Sequence, residues 1–303
     1  MKKKNLRLIV SALGIFMVVG LFAGCTKKAE NNTNKSTTSS KSGSEIKGSI
    51  TASGSTALQP LALTASQQFT AKYPDATVNV QAGGSGVGLT QVSEGNVQIG
   101  NSDITAEEKL GADDAKALVD HKVCVVGFAA VANEKVKVDN LTKQQLIDIF
   151  TGKIKNWKEV GGQNLKIHLI TRPDGSGSKA IFEKYGLNGA KEATGVSLTE
   201  DSSGTVASAV KETEGSISYL ASSFLNSAQN TKGLKVLKYE GLEMNKENIT
   251  SGKYPIWAYE HMYTKGEATG VAKAFIEFLT SEDVKPQILK LGYYPVDEMK
   301  TSR

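Results

Sequence analysis

Two cysteines and three histidines in 303 residues leave little material for disulfide or metal chemistry. Cys124 lies in the apolar run Val123-Cys124-Val125-Val126, which reads as a buried strand in which cysteine acts as a small hydrophobe. Cys25 stands far from it at the end of a leader-like segment, so no disulfide framework is expected. His121, His168 and His261 are scattered and no His-Glu-x-x-His occurs, so neither a metal nor another cofactor is expected. A Gly-x-Ser-x-Gly elbow and a Walker A lysine pattern are missing too. An exported phosphohydrolase using Ser85 or Ser176 as nucleophile therefore lacks its supporting parts, and the chain reads as a non-enzyme. Concentrated positive charge is also lacking. The formal charge is +5, but Lys2, Lys3, Lys4 and Arg7 supply most of it, and beyond residue 25 Lys and Arg alternate with Asp and Glu. Nucleic acid is accordingly not expected as a partner.

One sustained hydrophobic run is present, from Leu8 to Phe22, preceded by the basic start and followed by Ala23-Gly24 and Cys25. This is the layout of a secretory signal peptide at 1–24. Ser11, Gly14 and Gly20 interrupt the run, which suits a retained transmembrane anchor less well. Leu21-Phe22-Ala23-Gly24-Cys25 resembles a bacterial lipobox with Cys25 as the lipidated residue, although Phe22 stands where an aliphatic side chain is usual. Residues 25–47 follow as Lys, Asn, Ser, Thr and Gly with almost nothing to bury, so a disordered tether spanning about 25 Å is expected.

The remainder exceeds the usual size of one core and alternates short apolar runs with helical patterns, which argues an α/β chain in two lobes. Strands are expected at 50–53, 77–81, up to Asn101, 123–132, 167–171 and 256–262. Leu58, Leu61, Ala62, Ala65, Phe69 and Tyr73 share one helical face, with Pro60 in the first turn. Further helices are expected at 87–94, from the Thr142/Gln145 capping box to Phe150, through Ile181, Phe182 and Tyr185, at 202–211, at 271–279 and at 284–291. The long runs near Phe128 and Ala258 are the natural crossings between lobes. These crossings give 48–128 with 257–303 as lobe 1 and 129–256 as lobe 2.

Three strand-to-helix turns share a composition: Gly54-Ser55-Thr56-Ala57, Gly83-Gly84-Ser85-Gly86 and Asp174-Gly175-Ser176-Gly177-Ser178. Glycine admits close approach to a backbone, helix starts offer free N–H groups, and hydroxyls add donors, so each turn suits an anion. Capping alone explains any one such turn; three are harder to dismiss. Arg172 adds a planar fork fitted to an oxyanion, the plain alternative being a surface pair with Asp174. Asp103 in Asn101-Ser102-Asp103-Ile104 reads either as a helix cap or as a carboxylate that selects a protonated oxyanion by accepting its O–H.

These motifs carry a family resemblance. SGSTALQPL at 53–61, GGSGVGL at 83–89, IGNSDI at 99–104, LTKQQLIDIFTGKIKNWKEVGG at 141–162 and TRPDGSGS at 171–178 together resemble a phosphate-binding protein of the type II periplasmic-binding-protein fold. The resemblance implies a two-lobed receptor with a hinge. Thr56, the amide of Ala57, Ser85 and Asp103, with Ser55 beside them, would bind inorganic phosphate from lobe 1. Arg172, Ser176, Gly177 and Ser178 would bind it from lobe 2, and Asp174 would orient Arg172. It further implies an extracytoplasmic, lipid-anchored monomer that serves the permease subunits of a phosphate ABC transporter. Receptors for sulfate or molybdate share the fold and are the alternative, against which Asp103 argues.

Overall fold

The computed structural model describes residues 46–195 and 198–303, which form one compact unit. The signal segment, Cys25 and nearly all of the expected tether lie outside the described residues. Eleven strands are present among them: β1 (Gly48–Gly54), β2 (Ala76–Ala82), β3 (Ile99–Ser102), β4 (Leu118–Asn133), β5 (Asn140–Leu141), β6 (His168–Thr171), β7 (Leu198–Thr199), β8 (Ser216–Ala221), β9 (Leu234–Val236), β10 (Lys238–Tyr239) and β11 (Trp257–Lys265). A nine-stranded sheet runs β2-β1-β3-β11-β4-β8-β6-β7, with β9 also on β4, while β5 and β10 pair separately.

The long strand β4 joins the two sides of this sheet. From Leu118 to Gly127 it pairs antiparallel with β11, and from Phe128 onward it pairs with β8 and β9. The change of partner falls at Phe128. The 123–132 run understated the strand because its first residues alternate: Val119, Asp120, His121 and Lys122 are polar or partly exposed, and only from Val123 is every residue buried. Outer strands on both sides are parallel, β1 to β2 and β3, β6 to β7 and β8, as expected where helices cover the faces.

Helix positions follow the apolar periodicity. The Gln59–Lys72 helix buries Leu61, Ala62, Ala65 and Phe69, and Pro60 occupies its first turn, where no intrahelical N–H is needed. Phe69 meets Phe275 and Phe278 of the Gly270–Leu279 helix at ring separations of 5.5 and 5.6 Å, which fixes both helices over β1 and β2. On the β8 side Phe150, Phe182 and Tyr219 form a second cluster, with Tyr219 stacked on Phe182 at 4.3 Å. Burial of each such ring contributes about 1.5–3 kcal/mol, so each cluster anchors its own side of the sheet. The Thr142–Gln145 capping box forms as expected. The helix through Ile181 is shorter than its pattern suggested: Gly177–Ile181 is α-helical, and Phe182–Gly186 widens into a π turn.

Candidate functional site

Strand β1 ends in Gly54, whose φ is +137° and whose Cα lies so near β3 that an added Cβ would stand 2.1 Å from the Asn101 carbonyl oxygen. Only glycine allows that approach, and it delivers Ser55 beside Asp103 at the end of β3. The Ser55 hydroxyl donates to Asp103 Oδ1 and accepts from the amides of Ala57 and Leu58, both at 3.1 Å. The Ala57 amide expected to face a ligand therefore points to Ser55. Its carbonyl accepts from Ser223 at 2.8 Å and from the Tyr293 hydroxyl.

The second turn opens the Ser85–Glu94 helix, and Ser85 Oγ accepts the Asp103 amide at 3.0 Å. The third turn reaches the same carboxylate from the other side of the sheet. Ser176 caps the Gly177–Ile181 helix, and Ser178 donates its hydroxyl to Asp103 Oδ2 at 3.0 Å. Gly177 lies against both partners: a Cβ there would be 2.1 Å from Ser85 Oγ and 2.9 Å from Asp103 Cβ. The Gly86 amide donates to the Gly175 carbonyl at 2.9 Å. All three turns thus converge on Asp103, which is 2% exposed. Asp103 is no helix cap, because Thr105 with Glu108 closes the capping box of the next turn.

Arg172, also 2% exposed, follows β6 and donates from one terminal nitrogen to the Asp201 carbonyl at 2.8 Å. Its Nε has no hydrogen-bond partner among the described residues. Burial lowers its pKa, opposed by the nearby Tyr219, Asp103, Asp201 and Glu192, and a guanidinium remains charged under such pressure. The expected role of Asp174 is corrected here. Asp174 is exposed and pairs with Lys179 at 2.7 Å, five residues along the turn, so it does not orient Arg172.

Several polar residues at the site escaped the sequence reading. Thr56 Oγ1 lies 3.3 Å from Ser203 Oγ, at the start of the Ser203–Glu212 helix on the opposite side. Ser223 holds the Ala57 carbonyl from the same side. Lys184 and Glu108 form an ion pair at 2.7 Å between the two sides. Two buried acids, Glu192 and Glu260, stand behind Arg172 and Asp103 respectively, and burial raises the pKa of both. A Ser-Ser-Gly helix start at 202–204 was the available signal for Ser203, and a lone acid in the apolar strand Trp257-Ala258-Tyr259-Glu260 was the signal for Glu260.

The model of the PBP superfamily domain matches residues 36–283. The phosphate-binding protein PstS of Bacillus subtilis is 50% identical over 303 residues, covering 99% of this chain and 97% of that one. This chain belongs to the PstS family. The PstS of Borreliella burgdorferi is 28% identical and covers 80% of this chain and 88% of its own. Among solved structures, a phosphate ABC transporter substrate-binding protein of Clostridium perfringens with bound phosphate matches with a TM-score of 0.75 and 29% identity, covering 82% of this chain and all of that one. A Vibrio cholerae phosphate transport receptor matches with a TM-score of 0.64 and 26% identity, over 82% of this chain. The fold is the two-lobed α/β type II periplasmic-binding-protein fold.

Proposed function

We propose that this chain binds inorganic phosphate outside the cytoplasm and delivers it to the permease subunits of a phosphate ABC transporter, without catalysis of its own. Lobe 1 comprises 48–128 and 257–303, lobe 2 comprises 129–256, and closure brings both onto the anion. Thr56, Ser85 and Asp103, with Ser55 and the Ala57 backbone, serve from lobe 1; Arg172, Ser176, Gly177 and Ser178 serve from lobe 2. The protein acts as a monomer held to the membrane by lipid on Cys25.

The observation that carries this reading is Asp103, a buried carboxylate among hydroxyls from both sides of the sheet and near a buried arginine. Hydroxyls and a guanidinium suit any tetrahedral oxyanion, but a carboxylate suits only one that brings a proton. At neutral pH phosphate carries such a proton and sulfate does not. The phosphate-binding relatives agree with this choice. The nucleophiles of the enzymatic alternative have other partners: Ser85 Oγ accepts the Asp103 amide and Ser176 Oγ the Lys179 amide, while His121 lies against Thr264 and His261 against Asp120.

The test is calorimetry of the chain from Lys47 with phosphate, sulfate and molybdate. Phosphate is expected to bind at least about a hundredfold tighter than sulfate, because an unpaired buried acceptor facing a like charge costs several kcal/mol at about 1.4 kcal/mol per tenfold. Asp103→Asn should narrow that gap. Equal affinity of the wild type for both anions sinks the reading.

A further inference from the structure

Glu260 lies in the middle of β11 and is fully buried. Its neighbour across β4 is Cys124, and the ladder to β4 slips between Glu260 and His261, an irregularity of the kind that re-aims a side chain. On the other edge of β11, Met262 pairs with Asn101 and His261 with Ser102. The antiparallel register therefore brings Glu260 level with Asp103, one residue beyond the end of β3.

The protons around Glu260 can be counted. The groups that face it are the Asp103 carboxylate from the end of β3, the Ser55 hydroxyl from the end of β1, the Cys124 thiol of β4 and the Tyr293 hydroxyl after the last helix. Ser55 has one hydroxyl proton and gives it to Asp103; Tyr293 gives its proton to the Ala57 carbonyl. Burial holds the Cys124 thiol neutral, and a thiol is a weak donor. No cation is among these neighbours, and neither Glu260 oxygen makes a well-formed hydrogen bond among the described residues.

An ionised Glu260 would thus be a second anion beside Asp103 with no donor and no counter-charge, the most unfavourable state for a buried carboxyl. A protonated Glu260 needs only an acceptor, and Asp103 is the acceptor that faces it. The asymmetry between the two carboxyls is set by their partners. Asp103 receives O–H donors on both oxygens, from Ser55 and Ser178, whereas Glu260 receives no well-formed one among the described residues, the nearby Ser55 proton going to Asp103.

We infer that Glu260 is a neutral carboxylic acid that donates its O–H to Asp103, so that the pair holds one proton and one negative charge and Asp103 stays the acceptor presented to the ligand. Burial and the neighbouring Asp103 carboxylate push the Glu260 pKa well above its ordinary value against a smaller downward pull from the Ser55 hydroxyl, in the direction this requires. Glu260 is a positioning residue that sets specificity from behind. With Ser55 and Ser178 on its two oxygens, the Glu260 O–H would hold the Asp103 carboxylate in one orientation, and losing it would loosen the acceptor that tells a protonated oxyanion from an unprotonated one. This role rests on the phosphate reading proposed above.

Two measurements test it. Infrared spectra of phosphate-free protein with carbon-13 in the glutamate carboxyls should show a protonated-carboxyl band that persists above about pH 7, the value to which burial raises the Glu192 pKa, and disappears in Glu260→Gln. Absence of an isotope-shifted band in the wild type overturns the inference, and this needs neither a ligand nor a folded variant. In calorimetry Glu260→Gln, which keeps a donor and no charge, should bind phosphate within about threefold of wild type and still exclude sulfate. Glu260→Met, which keeps the shape and loses the donor, should lower the phosphate-to-sulfate ratio at least about tenfold. Tighter phosphate binding in Glu260→Gln by about tenfold or more would mean that a negative charge had been removed, and would also overturn it. A wild type that shows the band but binds no phosphate supports the shared proton and refutes the functional reading alone.

Discussion

Replacing Glu192 by Gln should change how stability depends on pH. Glu192 is 6% exposed, neither of its oxygens makes a well-formed hydrogen bond among the described residues, and its neighbours include Tyr219, Lys179, Glu183 and Arg172. Burial outweighs the downward pull of Tyr219, Lys179 and Arg172 and raises its pKa from 4.5 to about 7. Between those values the folded chain keeps a proton that the unfolded chain has released. Stability must therefore fall as pH rises through this window and level off above it. A gap of about 2.5 pH units at about 1.4 kcal/mol each is roughly 3–4 kcal/mol. Glutamine fills the same space and does not titrate, so its own packing cost is a constant offset. The assay is urea unfolding of wild type and Glu192→Gln, free of phosphate, from about pH 4.5 to pH 8. The variant should gain roughly 3–4 kcal/mol on the wild type across the window, or roughly 6–16 °C in Tm at 2–4 °C per kcal/mol. Parallel curves throughout, or divergence confined to pH above the window, would refute the reasoning.

Arg172→Ala should weaken phosphate binding by about 1.5–3 kcal/mol and Ser178→Ala by about 1 kcal/mol, because a charged fork is lost in one and a neutral donor in the other; calorimetry showing the reverse order would remove Arg172 from the site. Gly177→Ala places a Cβ 2.1 Å from Ser85 Oγ, so it should lose at least about tenfold in phosphate affinity and show no decrease in radius of gyration with phosphate. Unaltered affinity in that variant would mean that the third turn does not close on the second. Cys25→Ser should release the folded protein from the membrane fraction, and persistent membrane association would exclude the lipid anchor.

What was legible in the sequence was local. Hydroxyls and glycines at strand ends have short-range signatures, so all three turns and the Thr142–Gln145 box were found where they stand. The apolar periods found the helices that carry Phe69 and Phe275. Relations set by tertiary packing were not legible. The resemblance implied that Asp174 orients Arg172, but the turn after β6 sends Asp174 outward to Lys179 and leaves the arginine to the Asp201 carbonyl, which belongs to a distant segment. Glu260 is alone in an apolar strand, and only the β3–β11 register brings it level with Asp103. Ser203 meets Thr56 across 147 positions of sequence, a distance no local pattern can bridge.

Closure and selectivity then become one event. A hydroxyl-lined wall discriminates little, since every tetrahedral oxyanion accepts an O–H, and an exposed carboxylate discriminates little either. At about 4 Å two unit charges interact by about 1 kcal/mol in bulk water and about 4 kcal/mol in surroundings of effective dielectric about 20. In affinity, that is the difference between a few-fold and nearly a thousandfold. On the proposed reading Asp103 would reject an unprotonated anion only where water is excluded, and the second side of the sheet covers it: Ser178 on its Oδ2, Gly177 against its Cβ, and Gly175 on the amide of Gly86. The bare Cα of Gly177 lets that side come close enough. On the proposed reading, a residue with no side chain thus sets how strongly the carboxylate packed against it can tell one anion from another, with the Glu260 O–H as that carboxylate's partner from behind.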